Sequence, residues 1–379
     1  MKRIIQQIRL FLYLLLLPGL LCGCAARQGR EEAEMDKFQQ QALAVAESCR
    51  DLCAEDNCDI PAILARLDEK GIPAVDVAGR FPFVNAEQVK AFFASPSSEE
   101  ETAIRFVRIC QDGGLIDTVL IRVDGEERCR MIRVAWLEGK PAVTYDLEYP
   151  LTRLELTDKG YLIFTCDIPD NTAESDHDGY IEPTTMIRLE PLDEPCRAWT
   201  ETLAALGYRG HELFSEDWTA GDLSAVKLND LFPVLYRAET GKMLSYYDNP
   251  WPMEGQRDIT LVPADIFEDL LLRYLDVTRD VVRAAADYDA EPDVYPVPIQ
   301  SLHGPGENPV PEVTAVRYKE DGTVTLTVDA VTVEQATDRA FTHLLTLRLC
   351  GDGRYRFVSN EMLRDTGTAL VIHTPKTKN

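Results

Sequence analysis

The chain has 379 residues with 45% hydrophobic and 27% charged composition, ordinary globular usage that excludes a collagen-like, purely coiled-coil or wholly disordered polypeptide. Lys and Arg number 39 against 64 Asp and Glu, a formal net charge of -25. Nucleic acid and anionic lipid surfaces are therefore repelled over most of the surface, and nucleic acid is not an expected partner.

The first 23 residues have the form of an export signal. Lys2, Arg3 and Arg9 make a basic start, and residues 10–17 form an apolar stretch too short to span a bilayer. It ends in Leu21-Cys22-Gly23-Cys24, which resembles the bacterial lipobox, in which the cysteine thiol takes a diacylglycerol. The resemblance implies cleavage before Cys24, lipidation of Cys24 and attachment to the outer face of the cell membrane, since two acyl chains give the stable anchoring that one cannot. A plain secretory signal is the alternative. Loss of residues 1–23 removes three basic and no acidic residues, leaving 36 against 64 and a net charge of -28. Residues 24–35 read as a solvated tether.

The folded part begins with a helix over residues 36–53, where Phe38, Ala42, Val45, Cys49 and Leu52 recur at helical spacing. A second helix follows Asp59, with Pro61 in its first turn and Gly71 at its end, and Asn85 with Gln88 has capping-box character before a third. These three helices are expected to precede any strand. Residues 103–189 then show short β-branched and apolar runs separated by Asp-Gly, Glu-Gly and Lys-Gly turns, the signature of an antiparallel meander. Helical patterns return at 194–206 and 223–237, and the strongest runs as one helix over 264–286. Six prolines between Pro292 and Pro311 are expected to forbid regular structure there. Two hairpins close the pattern, one at Asp321-Gly322 and one at Gly351-Asp352-Gly353. The fold class is α+β: helices packed on antiparallel meanders, in regions 36–190 and 191–361 with a tail over 362–379. The polar, glycine-bearing stretch 207–221 reads as the connection between regions.

These segments resemble an uncharacterised family of lipoproteins from gut Firmicutes, defined as a domain of unknown function. The resemblance spans about residues 36–361. It rests on Thr157-Asp158-Lys159-Gly160-Tyr161-Leu162, Arg188-Leu189-Glu190-Pro191-Leu192-Asp193 with Cys196-Arg197, Asp217-Trp218, Phe267-Glu268, Arg339-Ala340-Phe341-Thr342-His343 and Phe357-Val358-Ser359-Asn360. It implies an extracytoplasmic lipoprotein and no particular activity.

Eight cysteines remain beyond Cys22 and Cys24, an even number that permits disulfides outside the cytoplasm. A local bridge from Cys58 to Cys49 or Cys53 is one reading; buried free thiols are the reading for most of the eight. The spacing of Cys49, Cys53 and Cys58 lacks a CxxC pair or a nearby histidine, so zinc is not expected. Residues 174–181 imitate the start of a calcium loop, but Thr185 stands where the bidentate glutamate belongs, and calcium is not expected either. His211-Glu212 opens like a zinc-protease helix, yet Ser215 replaces the second histidine. His343 shares strand parity with Leu345, Leu347 and Leu349 and is expected to face the core. No nucleophile elbow, phosphate loop or dinucleotide fingerprint is present, and no cofactor is expected. Tyr246, Tyr247 and Trp251, in a proline-flanked loop, are the candidate binding residues for a protein or glycan. The expected role is a non-enzymatic binding module on a lipid anchor. The alternative is a motif-poor hydrolase using paired carboxylates.

Overall fold

The computed structural model describes residues 36–54, 57–95, 101–169, 183–254, 258–299 and 309–363. The signal segment, Cys24, the tether, the calcium-like loop and all but the first two residues of the expected tail lie outside them. The described chain is α+β and forms two compact units that divide between residues 150 and 151. The division thus falls at Pro150, ahead of the boundary near 190 expected from sequence.

In the first unit, α1 (Lys37–Glu47) starts where the Asp36 carboxylate accepts from the amides of Phe38 and Gln39, both at 3.0 Å. A short 3-10 turn (Arg50–Leu52) completes the stretch expected as one helix. Two two-residue strands follow, β1 (Cys53–Ala54) and β2 (Asn57–Cys58), then α2 (Ile60–Glu69), capped by Asp59 and ended by Gly71 at φ +67°. Next come β3 (Ala74–Asp76) and α3 (Ala86–Ala94), so short strands precede the third helix, contrary to expectation. The capping box also fails. Asn85 is left-handed, its amide donating to Asp68 Oδ1 and the Ile72 carbonyl, while Gln88 donates to the Gly71 carbonyl. Both side chains tie α3 back to the end of α2.

The meander is β4 (Thr102–Ile109), β5 (Leu115–Val123), β6 (Glu126–Leu137) and β7 (Lys140–Leu156), antiparallel throughout, with β3 added parallel to β4. Its two tightest turns, Asp124-Gly125 and Glu138-Gly139, have positive φ at both central residues, as two-residue hairpins matched to strand twist require. Helices α1 and α2 bury Ala42, Val45, Ile63 and Leu67 against Val107, Ile109, Leu115, Ile132 and Val134.

In the second unit, residues 151–156 of β7 pair with β8 (Tyr161–Cys166), which pairs with β9 (Thr184–Arg188). Helix α4 (Glu194–Ala204) follows, capped by Asp193, then β10 (Trp218–Thr219), α5 (Leu228–Thr240) and β11 (Ile259–Pro263). The helix expected over 264–286 is two, α6 (Ala264–Tyr274) and α7 (Arg279–Ala285). They separate because Leu275 turns extended and fully buried, and the Asp276 amide donates to the Phe357 carbonyl at 2.9 Å. The proline-rich stretch also departs from expectation, since β12 (Val294–Pro298) pairs with β11. Pro296 and Pro298 sit in this two-stranded edge ladder, where a missing N–H is tolerated. Finally β13 (Val310–Tyr318), β14 (Thr323–Val331), β15 (Thr342–Leu349) and β16 (Tyr355–Leu363) make a sheet in the order β10-β16-β15-β14-β13. The last strand takes the first two residues assigned to the tail.

The core of this unit joins Leu203, Phe232, Phe267 and Leu271 from the helices to Val324, Leu326, Val328, Leu345, Leu347 and Phe357 from the sheet. Phe267 stacks between Tyr295, 3.9 Å away by ring centroid, and Phe232 at 5.0 Å. Residues 207–221, expected as an open connection, bury Tyr208, His211, Leu213, Phe214 and Trp218 instead. The Trp218 indole donates to the Leu213 carbonyl at 2.7 Å. Limited proteolysis is therefore expected to spare 207–221 until the unit unfolds, and rapid cutting there in native buffer would contradict this packing.

Candidate functional site

The stretch after α5 places the three aromatic candidates differently. Gly241, at φ +71°, ends the helix, and Leu244 is buried as an anchor. Ser245 Oγ accepts from the Asp248 amide, and Asn249 Oδ1 accepts from the Trp251 amide at 3.2 Å and the Thr260 hydroxyl at 3.1 Å. The Leu261 amide then donates to the Pro252 carbonyl at 2.8 Å. On this braced loop Tyr246 and Tyr247 are 65% and 96% exposed, with rings edge to face at 5.4 Å. Trp251 turns the other way, packing edge-on against Tyr236 at 5.4 Å and Phe232 at 5.8 Å. The structure thus brings the two tyrosines together at the surface and makes Trp251 a prop beneath the loop.

A buried carboxylate pair lies elsewhere in the second unit. Glu312 on β13 and Asp329 on β14 are cross-strand partners, and both are buried. Lys159, from the turn before β8, places Nζ 3.0 Å from Glu312 Oε1 and 2.9 Å from Asp329 Oδ2. Glu312 Oε1 has no directed hydrogen bond, so its compensation is the charge of that ammonium. Arg188 reaches Glu312 Oε2 at 2.7 Å, and the Tyr161 hydroxyl donates to the same oxygen. Asp329 also meets Arg339 Nε at 3.3 Å and accepts from the Thr342 hydroxyl. Burial, and then the Glu312 charge, push the Tyr161 phenol up. General acid-base hydrolysis needs one carboxyl free to give a proton and another free to activate water or attack. Here an ammonium lies between the two and each is engaged further, an arrangement that locks the β8–β9 hairpin to β13 and β14.

Glu268 on α6 is only 1% exposed and is caged in the same way. Arg279 donates at 2.7 Å, Arg283 at 2.6 Å and the Tyr295 hydroxyl at 3.0 Å. Burial pushes this carboxyl up, but hydrogen bonds from Arg283, Arg279 and Tyr295 outweigh it and hold it below its ordinary value.

Both core histidines have structural partners. His343 contacts the Tyr208 hydroxyl through Nε2 at 2.9 Å and Asn360 Oδ1 through Nδ1 at 2.5 Å, and it faces the core as its strand parity predicts. His211 Nδ1 accepts from the Leu213 amide at 3.1 Å, bracing a turn. Among the described residues no group of three or more His, Cys, Asp and Glu side chains is placed to share a metal ion.

Sequence reasoning missed the Glu312–Asp329 pair. One signal was present: Asp329 continues the parity of Thr323, Thr325 and Thr327, so a carboxylate had to lie on the polar face of β14. Its cations come from residues 159, 188 and 339, which no local pattern connects.

The fold defines an α+β protein built on antiparallel meanders. The chain belongs to a family of unknown function, DUF6070, whose model matches residues 30–376. No curated protein and no solved structure matches it. Among the described residues no helix is long and apolar enough to cross a membrane.

Burial pushes both His211 and His343 down to about 4 from an ordinary value of 6.5, against weaker opposing hydrogen bonds. Between those values the unfolded chain takes up protons that the folded chain refuses. Stability is therefore expected to fall as pH drops from about 6.5 to about 4, by roughly 3 kcal/mol per histidine. Urea unfolding of wild type and His343→Gln across this window checks it, with a flatter profile expected in the variant.

Proposed function

We propose that the protein is a lipoprotein held on the outer face of the bacterial cell membrane by a diacylglycerol on Cys24, of the kind found in gut Firmicutes. Its mature part acts as a non-enzymatic module that binds a protein or glycan of the envelope. The observation that carries the binding reading is the Tyr246–Tyr247 pair, two rings left exposed on a loop whose neighbours are buried or hydrogen-bonded. Such a loop presents aromatic area with little ordering cost on binding. The acidic surface fits a tethered domain kept off anionic headgroups. The hydrolase alternative gains no support from Glu312 and Asp329, whose oxygens are taken up by Lys159, Arg188 and Arg339.

Alkyne fatty acid fed to cells is expected to label the wild type, and label surviving Cys24→Ala would remove the anchor from the proposal. For the binding face, Tyr246→Ala/Tyr247→Ala is expected to lower co-sedimentation with isolated cell envelopes by about tenfold or more, with the melting temperature unchanged. Envelopes stripped of protein by protease separate a glycan partner from a protein one. Unchanged co-sedimentation of the double variant would reject the tyrosine face.

A further inference from the structure

Cys53 and Cys58 stand directly opposite each other as Cα partners in the β1–β2 ladder. Directly opposed residues of an antiparallel pair have Cα and Cβ separations that overlap those a disulfide needs. Their sulfurs are 3.6 Å apart, and both residues are partly exposed, so a small reagent can reach them. Cys49, the other partner open to Cys58 from sequence, is fully buried at the end of α1.

A second feature fixes Cys58 in place. The ladder sits on the turn before β5, where Gly113 has φ +79° and a Cβ there would come within 2.7 Å of Cys58 Sγ. The Gly113 carbonyl is held from the other side by the Trp136 indole at 3.1 Å, and Cys53 Sγ lies 3.8 Å from the same oxygen. The two thiols are thus preset by a turn that only glycine fits.

We propose that Cys53 and Cys58 close to a disulfide that clamps the β1–β2 ladder over the Gly113 turn. The oxidant is a disulfide, protein-borne or small; its supply in the cell is the one part that rests on the export proposed above. Cys58 loses its proton to solvent and attacks one sulfur of the oxidant, whose S–S bond breaks and releases one thiol. The Cys53 thiolate then attacks the Cys58 sulfur of the mixed disulfide, forming the Cys53–Cys58 bond and releasing the second thiol. Two protein thiols are oxidised by two electrons, and one disulfide is reduced to two thiols. Burial, followed by the hydrogen bond with Cys58, pushes Cys53 up to about 12, and burial with the Asp112 and Asp59 charges raises Cys58. Both thiols rest protonated near neutral pH, which suits a slowly formed structural bridge and not a catalytic thiol.

Trypsin reads the bond directly, because residues 51–66 carry both cysteines and no Lys or Arg before Arg66, while Cys49 leaves on the preceding peptide. Purified full-length protein in detergent is incubated with oxidised glutathione, blocked with N-ethylmaleimide, digested and weighed. The expected product is peptide 51–66 without alkyl groups and two hydrogens lighter than the dithiol. Cys53→Ser is expected to stop at a glutathione adduct on Cys58, and Gly113→Ala to slow closure several-fold. A wild-type peptide that stays doubly alkylated, or a cross-link from Cys58 to Cys49 or Cys110, overturns the proposal. Protein blocked inside cells before lysis tests export separately: an alkylated peptide there, with closure still seen on purified protein, leaves the pair standing and counts against an oxidising location.

Discussion

Burial of the Glu312 carboxylate beside its cross-strand partner Asp329 is the constraint around which the second unit is organised. Two like charges directly opposite on neighbouring strands repel, and each loses its hydration on burial. The arrangement holds only because Lys159 sits between them and Arg188 and Arg339 flank them. Those cations arrive on the β7–β8 turn, the end of β9 and the approach to β15. The charge balance therefore pins the start of β8 and the end of β9 to Glu312 on β13 and Asp329 on β14. On the opposite face of β14, Val324, Leu326 and Val328 meet the helices, so one alternating strand specifies two different kinds of packing.

The same economy governs the other buried polar groups. Glu268 is surrounded by two guanidinium groups and a phenol, Asp117 by Arg105, and His343 by Tyr208 and Asn360. Each is spent on holding elements together. Tyr246 and Tyr247 project from a loop that is itself tied by Ser245, Asn249 and Pro252, and a braced support of this kind is what the proposed binding role requires.

Much of the fold was legible because it rests on local chemistry. Asp36, Asp59 and Asp193 cap helices, Gly71 ends one, and Asp-Gly and Glu-Gly pairs turn hairpins at positive φ. Alternation assigned the faces of β14 and β15 and sent His343 inward. Errors arose where a distant partner outcompeted local preference. Leu275 leaves the helix because Phe357 offers a backbone partner, and Pro296 and Pro298 join a ladder because β11 asks no hydrogen bond of them. The glycine-bearing stretch 207–221 looked like a connection until its aromatic residues found the core. For the site, Tyr246 and Tyr247 were visible as residues, but their separation from Trp251 depended on Phe232 and Tyr236, fifteen or more positions upstream.

The amino-acid sequence by itself determined the α+β class, the places where most helices begin and most hairpins turn, and the acidic balance of the surface, because caps, turns, alternation and charge are properties of neighbouring residues. Tertiary structure alone decided that Lys159, Arg188 and Arg339 neutralise Glu312 and Asp329, that Cys53 and not Cys49 faces Cys58, and that two of three loop aromatics stay exposed. Those outcomes depend on groups brought together from far apart in the chain, and no spacing along the chain measures such distances.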